Sequence, residues 1–207
     1  MIKRIFIPAV SRRKISGSKI SAISKSLPKN LAVAYSVQFQ EIAGQIKEKL
    51  SESHIITYFT QVLGCSKPNF PKNTEAILLV GSGKFHAIGL AFETKIPVYI
   101  LTENKMERIT EEETKKLEER HKVHLLKFLH SEKIGVIISN KPGQERLRRA
   151  LEVSKKTEKK TYFFLSNNVE LKEFENFGLD CWINTACPRM DFDRSLINLT
   201  EIENHFK

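Results

Sequence analysis

The sequence predicts an α/β protein built as two small units, each a parallel sheet flanked by helices. Three observations point there. Short apolar runs such as residues 31–37, 76–80 and 134–139 are continuous rather than alternating, which suits strands covered on both faces. Between them lie stretches with helical spacing, as in Phe39, Ile42, Ile46 and Leu50. Several apolar runs end in glycine- or proline-bearing turns, Gly81-Ser82-Gly83 and Lys141-Pro142-Gly143-Gln144 among them. Together they give the strand–helix alternation of a parallel sheet.

In chain order, residues 1–10 read as a strand and the Ser- and Lys-rich residues 11–30 as a polar connector with one helical turn, closed by Leu27-Pro28-Lys29-Asn30. Residues 31–37 are a buried strand, 38–50 a helix and 55–59 the next strand, with Gly64-Cys65 beyond it. Residues 76–80 are an apolar strand ending at the Gly81-Ser82-Gly83 loop; a short helix over 85–92 and a strand over 97–101 follow. Residues 103–122 are strongly charged, and Thr110 with Glu113 has the spacing of a capping box for a long exposed helix over Glu111–His130. His121 and His124 on that helix are expected to be solvated.

The second half repeats the pattern. Residues 134–139 form a buried strand, 146–156 a helix with Leu147, Ala150, Leu151 and Ser154 on one face, and 161–165 a strand. Residues 169–177 form a short helix capped by Gly178, residues 181–185 the last strand, and residues 190–207 an irregular tail. The units are placed at 1–102 and 103–207, each Rossmann-like. Ser36-Val37-Gln38 and Pro142-Gly143-Gln144 look like equivalent starts in the two.

Composition bounds the function. The 207 residues are 41% hydrophobic and 28% charged, ordinary for a globular protein. No apolar run approaches the roughly 18 residues of a membrane span, and the N-terminal apolar run is too short for a signal peptide, so a cytoplasmic protein is expected. The net charge of +10 favours an acidic partner surface. The basic clusters, Arg12-Arg13-Lys14 and Lys155-Lys156 with Lys159-Lys160, have no interleaved aromatics, which favours a solvated face over direct nucleic-acid binding.

Three cysteines in such a chain suggest metal or catalysis, or simply buried small side chains. Cys65 and Cys187 both follow strands and sit near Gly or Pro, where a backbone can wrap a thiolate-bound metal or cluster. Cys181 begins a strand instead. An extended segment rising about 3.3 Å per residue sets it roughly 15–20 Å from Cys187, too far to share one cluster, so it reads as a core residue. The loop Gly81-Ser82-Gly83-Lys84-Phe85-His86 exposes backbone N–H groups at a helix start and adds a cation, a pattern that favours an anion and that ordinary strand–helix turns also show. His86 suits a cap or core position equally well. Lys141-Pro142-Gly143-Gln144 is a comparable loop. Asp191 and Asp193 suit either a ligand amine or a solvated turn. No Ser-His-Asp order, HExxH or Walker loop occurs, and the six histidines show no metal spacing.

Four segments occur in order: Gln61-Val62-Leu63-Gly64-Cys65, Val80-Gly81-Ser82-Gly83-Lys84-Phe85-His86, Ser139-Asn140-Lys141-Pro142-Gly143-Gln144 and Trp182-Ile183-Asn184-Thr185-Ala186-Cys187-Pro188-Arg189. Together they resemble the diphthamide synthase family. The resemblance implies three related α/β domains around a 4Fe–4S cluster held by one cysteine from each. It further implies that the open iron would bind S-adenosylmethionine and that cleavage would give a 3-amino-3-carboxypropyl radical for addition to a histidine of translation elongation factor two.

By motif, Cys65 and Cys187 would be two of the cluster ligands. Gly81, Ser82, Gly83, Lys84, His86, Lys141, Gly143, Gln144, Arg189 and Asp193 would line the cofactor. Asp193-Arg194 stands where paired acids are usual, a departure from the family pattern. Residues 1–102 would be the middle-type domain and 103–207 the last-type domain, with the first domain and its cysteine absent. The chain is then expected to act as a transferase in a complex, its third thiolate coming from a separate chain or from the partner in a dimer. The alternatives are an accessory iron–sulfur subunit that docks on a catalytic synthase, and a metal-free protein binding an anion or nucleotide.

Overall fold

The computed structural model describes residues 15–63, 67–102, 105–168, 175–188 and 196–206, and the chain divides into two compact units, Met1–Lys115 and Lys116–Lys207. The strand expected over residues 1–10 and the first part of the helix expected over 169–177 lie outside the described residues.

The first unit runs α1 (Gly17–Ser24), β1 (Asn30–Tyr35), α2 (Gln40–Leu50), β2 (Ile55–Gln61), β3 (Ala76–Val80), α3 (Phe85–Thr94), β4 (Val98–Leu101) and β5 (Met106–Arg108). Its sheet has the order β2-β1-β3-β4-β5, with the first four strands parallel and β5 antiparallel at the edge. The continuous apolar run of β1 has a direct cause. Leu31, Val33 and Tyr35 pack with Ile20, Ile23, Ile42, Ile46 and Leu50 of α1 and α2, while Ala32 and Ala34 pack with Ile77, Leu79, Ala87 and Leu90 on the α3 side. Neither face meets water, so no alternation is possible.

Two features differ from the expectation. The polar connector carries the eight-residue helix α1 rather than one turn, because Ile20 and Ile23 form a buried pair at helical spacing within a Ser- and Lys-rich background. The first sheet also continues past residue 102. Tyr99 pairs with Arg108 and Leu101 with Met106, and the charged Met-Glu-Arg segment suits a solvated edge. The division between units falls within α4 (Glu111–His130).

α4 opens on the expected capping box: Thr110 N donates to Glu113 Oε2 at 2.9 Å and Glu113 N to Thr110 Oγ1 at 3.2 Å. After it come β6 (Lys133–Ser139), α5 (Leu147–Lys156), β7 (Lys160–Ser166), β8 (Cys181–Asn184), β9 (Leu196–Asn198) and a short helix, Leu199–Ile202. The second sheet has the order β7-β6-β8-β9, all parallel. Strand order therefore reverses between β1 and β3 in one unit and between β6 and β8 in the other. Ser36-Val37-Gln38 and Pro142-Gly143-Gln144 occupy equivalent places, after the first strand of each sheet.

On one face of the second sheet, Ile134, Val136 and Ile138 pack with Phe128, Ala150, Val153 and Cys181. On the other, Trp182 packs with Ile137, Leu196, Phe164 and Leu179, its ring lying over Gly135.

Three local expectations need correction. α5 buries Ala150 and Val153 and leaves Leu147 and Leu151 exposed: the helix is turned so that the small Ala150 approaches the sheet. His124 is buried beside Phe128 rather than solvated, because both lie on the face that α4 packs inward. The C-terminal stretch is not an irregular tail. Leu196 and Ile197 are buried in β9, and Leu199 and Ile202 in the helix after it; a three-residue strand is too short to betray itself by periodicity.

Candidate functional site

Candidate residues that the structure describes sit past the carboxyl ends of β3, β6 and β8, beside the points where strand order reverses. Open α/β sheets bind ligands there, because loops that diverge to opposite faces leave a crevice.

In the first unit, Gly81 is buried directly after β3. Its N–H donates to Leu101 O at 3.2 Å, and a side chain there would come within 3.2 Å of Ser36 Oγ. The loop then turns outward through Gly83 at φ +84°, a conformation that favours glycine. Ser82, Gly83 and Lys84 are exposed, and His86 is half-buried on the first turn of α3. The Lys84 ammonium bridges two carboxylates, Glu107 Oε2 at 2.8 Å and Glu113 Oε1 at 3.2 Å. Hydrogen bonds from Lys84 and then Lys105 hold the Glu107 carboxyl down at about 2, and the hydrogen bonds to Glu107 and then Glu113 raise Lys84. The only basic side chain of this loop is thus held over β5 and the start of α4.

In the second unit, Lys141-Pro142-Gly143-Gln144 is a tight turn. Gln144 N donates to Lys141 O at 3.0 Å and Gly143 has φ +80°. Ser139 Oγ accepts from Lys141 N at 3.1 Å, so the turn is tied to the end of β6. Lys141 and Gly143 are exposed.

The end of β8 is the more built structure. Thr185 is 1% exposed, and both its N–H and its hydroxyl donate to Ile137 O, at 3.1 and 2.8 Å. Asn184 is also buried: Oδ1 accepts from Ala186 N at 2.9 Å, while Nδ2 donates to Cys187 O at 2.9 Å and to Asn198 Oδ1 at 2.8 Å. Asn198 Nδ2 in turn donates to Glu201 Oε1 at 2.6 Å. Sequence reasoning quoted Asn184 only as part of a motif and missed Asn198 and Glu201, because it read their stretch as a tail. An Asn directly after the apolar Leu196-Ile197 pair was the signal available.

Cys187 emerges from this framework half-buried, on a loop and free of any disulfide. A soft thiolate donor for iron needs that combination: access, a wrapping backbone and a fixed approach. Cys181, at the opposite end of β8, is fully buried. Burial pushes its thiol up to about 11, which disfavours the thiolate a metal requires. Cys187 therefore fits an iron–sulfur ligand and Cys181 does not. Cys65, Arg189, Asp191 and Asp193 lie outside the described residues. Among the described residues, no three His, Cys, Asp or Glu side chains gather as a metal site, and no helix is long and apolar enough to cross a membrane.

Comparison with known proteins gives consistent matches. Residues 2–203 match the family described as "putative diphthamide synthesis protein". The chain is 27% identical over 207 residues to a 2-(3-amino-3-carboxypropyl)histidine synthase of Pyrococcus horikoshii, covering 93% of this chain and 60% of that protein. A synthase of the same name from Methanocaldococcus jannaschii is 28% identical over 206 residues, covering 93% and 57%. Among solved structures, Dph2 from Pyrococcus horikoshii with a 4Fe–4S cluster superposes with a TM-score of 0.82 at 26% identity, covering 97% of this chain and 64% of that one. The chain thus spans less than two thirds of the length of these relatives.

Proposed function

The chain belongs to the diphthamide synthesis protein family, and from that premise we propose that it forms part of a 3-amino-3-carboxypropyl transferase that modifies a histidine of translation elongation factor two. In this reading the enzyme carries a 4Fe–4S cluster, uses S-adenosylmethionine and acts in the cytoplasm. The unit Met1–Lys115 serves as its middle-type domain and Lys116–Lys207 as its last-type domain. Cys65 and Cys187 hold the cluster. The third thiolate comes from outside these 207 residues, because Cys181 is the one other cysteine among them and is ruled out by burial.

The observation that carries the reading is the contrast within one strand. Cys187 stands half-buried at the carboxyl end of β8 with its carbonyl held by Asn184, while Cys181 is sealed at the other end. When bound, the cluster supplies the electron for reductive cleavage of S-adenosylmethionine. The chain's own part is to bind and orient. The backbone N–H groups of Ser82 and Gly83 and the Ser82 hydroxyl, with His86, offer donors to the cofactor's carboxylate, and Gly81, whose own N–H is taken by Leu101 O, lets the loop leave β3 without a side chain. Lys141, Gly143 and Gln144 offer further donors, Arg189 adds a cation, and the Asp193 carboxylate accepts from the cofactor's amine.

One observation favours a second reading, a non-catalytic iron–sulfur subunit that docks on a catalytic synthase. Lys84 already pairs with Glu107 and Glu113, which lowers the positive field available to an anionic ligand.

Anaerobic reconstitution tests the main reading. Iron and sulfide bound by the chain should fall on Cys65→Ser or Cys187→Ser and persist on Cys181→Ala, and loading should be labile until a partner is added. Full, stable loading of a monomeric Cys181→Ala chain alone would refute a third thiolate from outside these residues. Mass spectrometry of the elongation factor separates the two readings: the mixed chains should add the 3-amino-3-carboxypropyl group only while both Cys65 and Cys187 are intact.

A further inference from the structure

We propose that Asn184, Asn198 and Glu201 form an oriented amide relay that presets the Cys187 loop, with Asn198 and Glu201 as positioning residues; its purpose rests on the cluster reading of Cys187. The direction of each amide is fixed by its neighbours. Asn184 Oδ1 must accept from Ala186 N, so Nδ2 is the end turned to Cys187 O and Asn198 Oδ1. Reversing it would set an NH₂ against an N–H and an oxygen against two oxygens. Asn198 therefore shows oxygen to Asn184 and leaves Nδ2 for Glu201 Oε1. A carboxylate only accepts, so Glu201 selects the orientation of Asn198, and Asn198 that of Asn184.

Two further observations set this apart from ordinary capping. Asn198 stands at the N-cap of the Leu199–Ile202 helix yet makes no side-chain cap hydrogen bond, although Asn is among the best capping residues. Its side chain is turned instead to Asn184, its register partner across β8 and β9. The other Glu201 oxygen is buried without a hydrogen-bond partner and lies 3.7 Å from His121 Nδ1, which sets the carboxylate against α4. The relay so connects α4 to the backbone of the cysteine loop through the buried Asn184 and the half-buried Asn198 and Glu201. Partners behind a ligand loop of this kind fix ligand orientation before the metal arrives.

The test uses the metal-free 207-residue chain and two local readouts: hydrogen exchange at the Ala186 amide, and iodoacetamide alkylation of Cys187 with Cys181 as the internal control. Asn198→Ala removes one partner of Asn184 and frees its amide. The Ala186 exchange rate and the Cys187 alkylation rate should each rise about tenfold, as for one buried hydrogen bond lost, while β6 amides and Cys181 change by less than about twofold. Glu201→Leu should reproduce this. Glu201→Gln, which keeps an acceptor oxygen, should stay within about twofold of the parent.

The relay is overturned if folded Asn198→Ala shows unchanged exchange and alkylation. It is also overturned if all second-unit amides accelerate together, or if Glu201→Gln is as damaging as Glu201→Leu. After anaerobic reconstitution, Asn198→Ala should show an altered cluster EPR spectrum. Iron uptake indifferent to Cys187→Ser would instead overturn the cluster reading, so the two failures are distinct.

Discussion

Replacing Gly135 by alanine should destabilise the second unit selectively. A methyl group at that position would fall inside the Trp182 ring, against Cε3 and Cζ3, and 3.0 Å from Leu179 Cδ1. The ring cannot easily yield. It is 8% exposed and packed edge-on to Phe164 at 4.8 Å, with Ile137 and Leu196 in the same cluster. Overpacking of this kind costs about 3 kcal/mol. The reduced freedom of the unfolded chain returns about 0.5–1 kcal/mol, leaving a net loss of roughly 2 kcal/mol, or about 1–2 M in urea midpoint. Trp182 is the sole tryptophan, so its fluorescence reports this core alone. Gly135→Ala should lower the fluorescence midpoint. In a Trp182→Leu background, followed by circular dichroism, the same change should cost far less. A Gly135→Ala loss below about 0.5 kcal/mol, the range of neutral surface changes, would refute the reasoning; so would an equal loss in both backgrounds.

Two pH dependences follow from the perturbed groups. Burial raises the Cys181 thiol from 9.0 to about 11, so the folded chain keeps a proton that the unfolded chain releases. Stability should be unaffected below the lower value and fall as pH rises between the two, by about 2–3 kcal/mol in all. Urea titrations should show Cys181→Ala losing this alkaline limb, and an unchanged limb would contradict the assignment. Glu107 is displaced the other way, from 4.5 to about 2, by Lys84 and then Lys105. Its contribution is present above the higher value and lost as pH falls toward the lower one. Lys84→Met should therefore flatten the acid limb of first-unit unfolding followed by circular dichroism, and an acid limb as steep as the parent's would count against the ion pair.

The fold class was legible because its determinants are local. Strands buried on both faces must be apolar throughout, so residues 31–35, 76–80 and 134–139 announced themselves. The capping box and the glycine turns are likewise short-range, and Thr110 with Glu113 formed as spacing predicts. Elements whose stability comes from a distant neighbour were hidden. β9 exists because β8 offers it an edge, and β5 because β4 does. The buried face of α5 was misread because the sheet selects which apolar side chains enter, and it took Ala150 and Val153 over Leu147 and Leu151.

For the site, the sequence by itself determined the chemistry on offer: a cysteine after a strand, glycine loops and the ordered motifs that mark the family. It also separated Cys181 from Cys187, since the rise of an extended chain is fixed by covalent geometry. Only the tertiary structure decided which groups stand together. It brought Asn198 and Glu201 beneath the Cys187 loop and drew Lys84 onto Glu107 and Glu113. Hydrogen bonds and ion pairs between segments far apart in the chain depend on packing of the whole sheet. The charge of a residue is therefore readable from its letter, and its partner only from the fold.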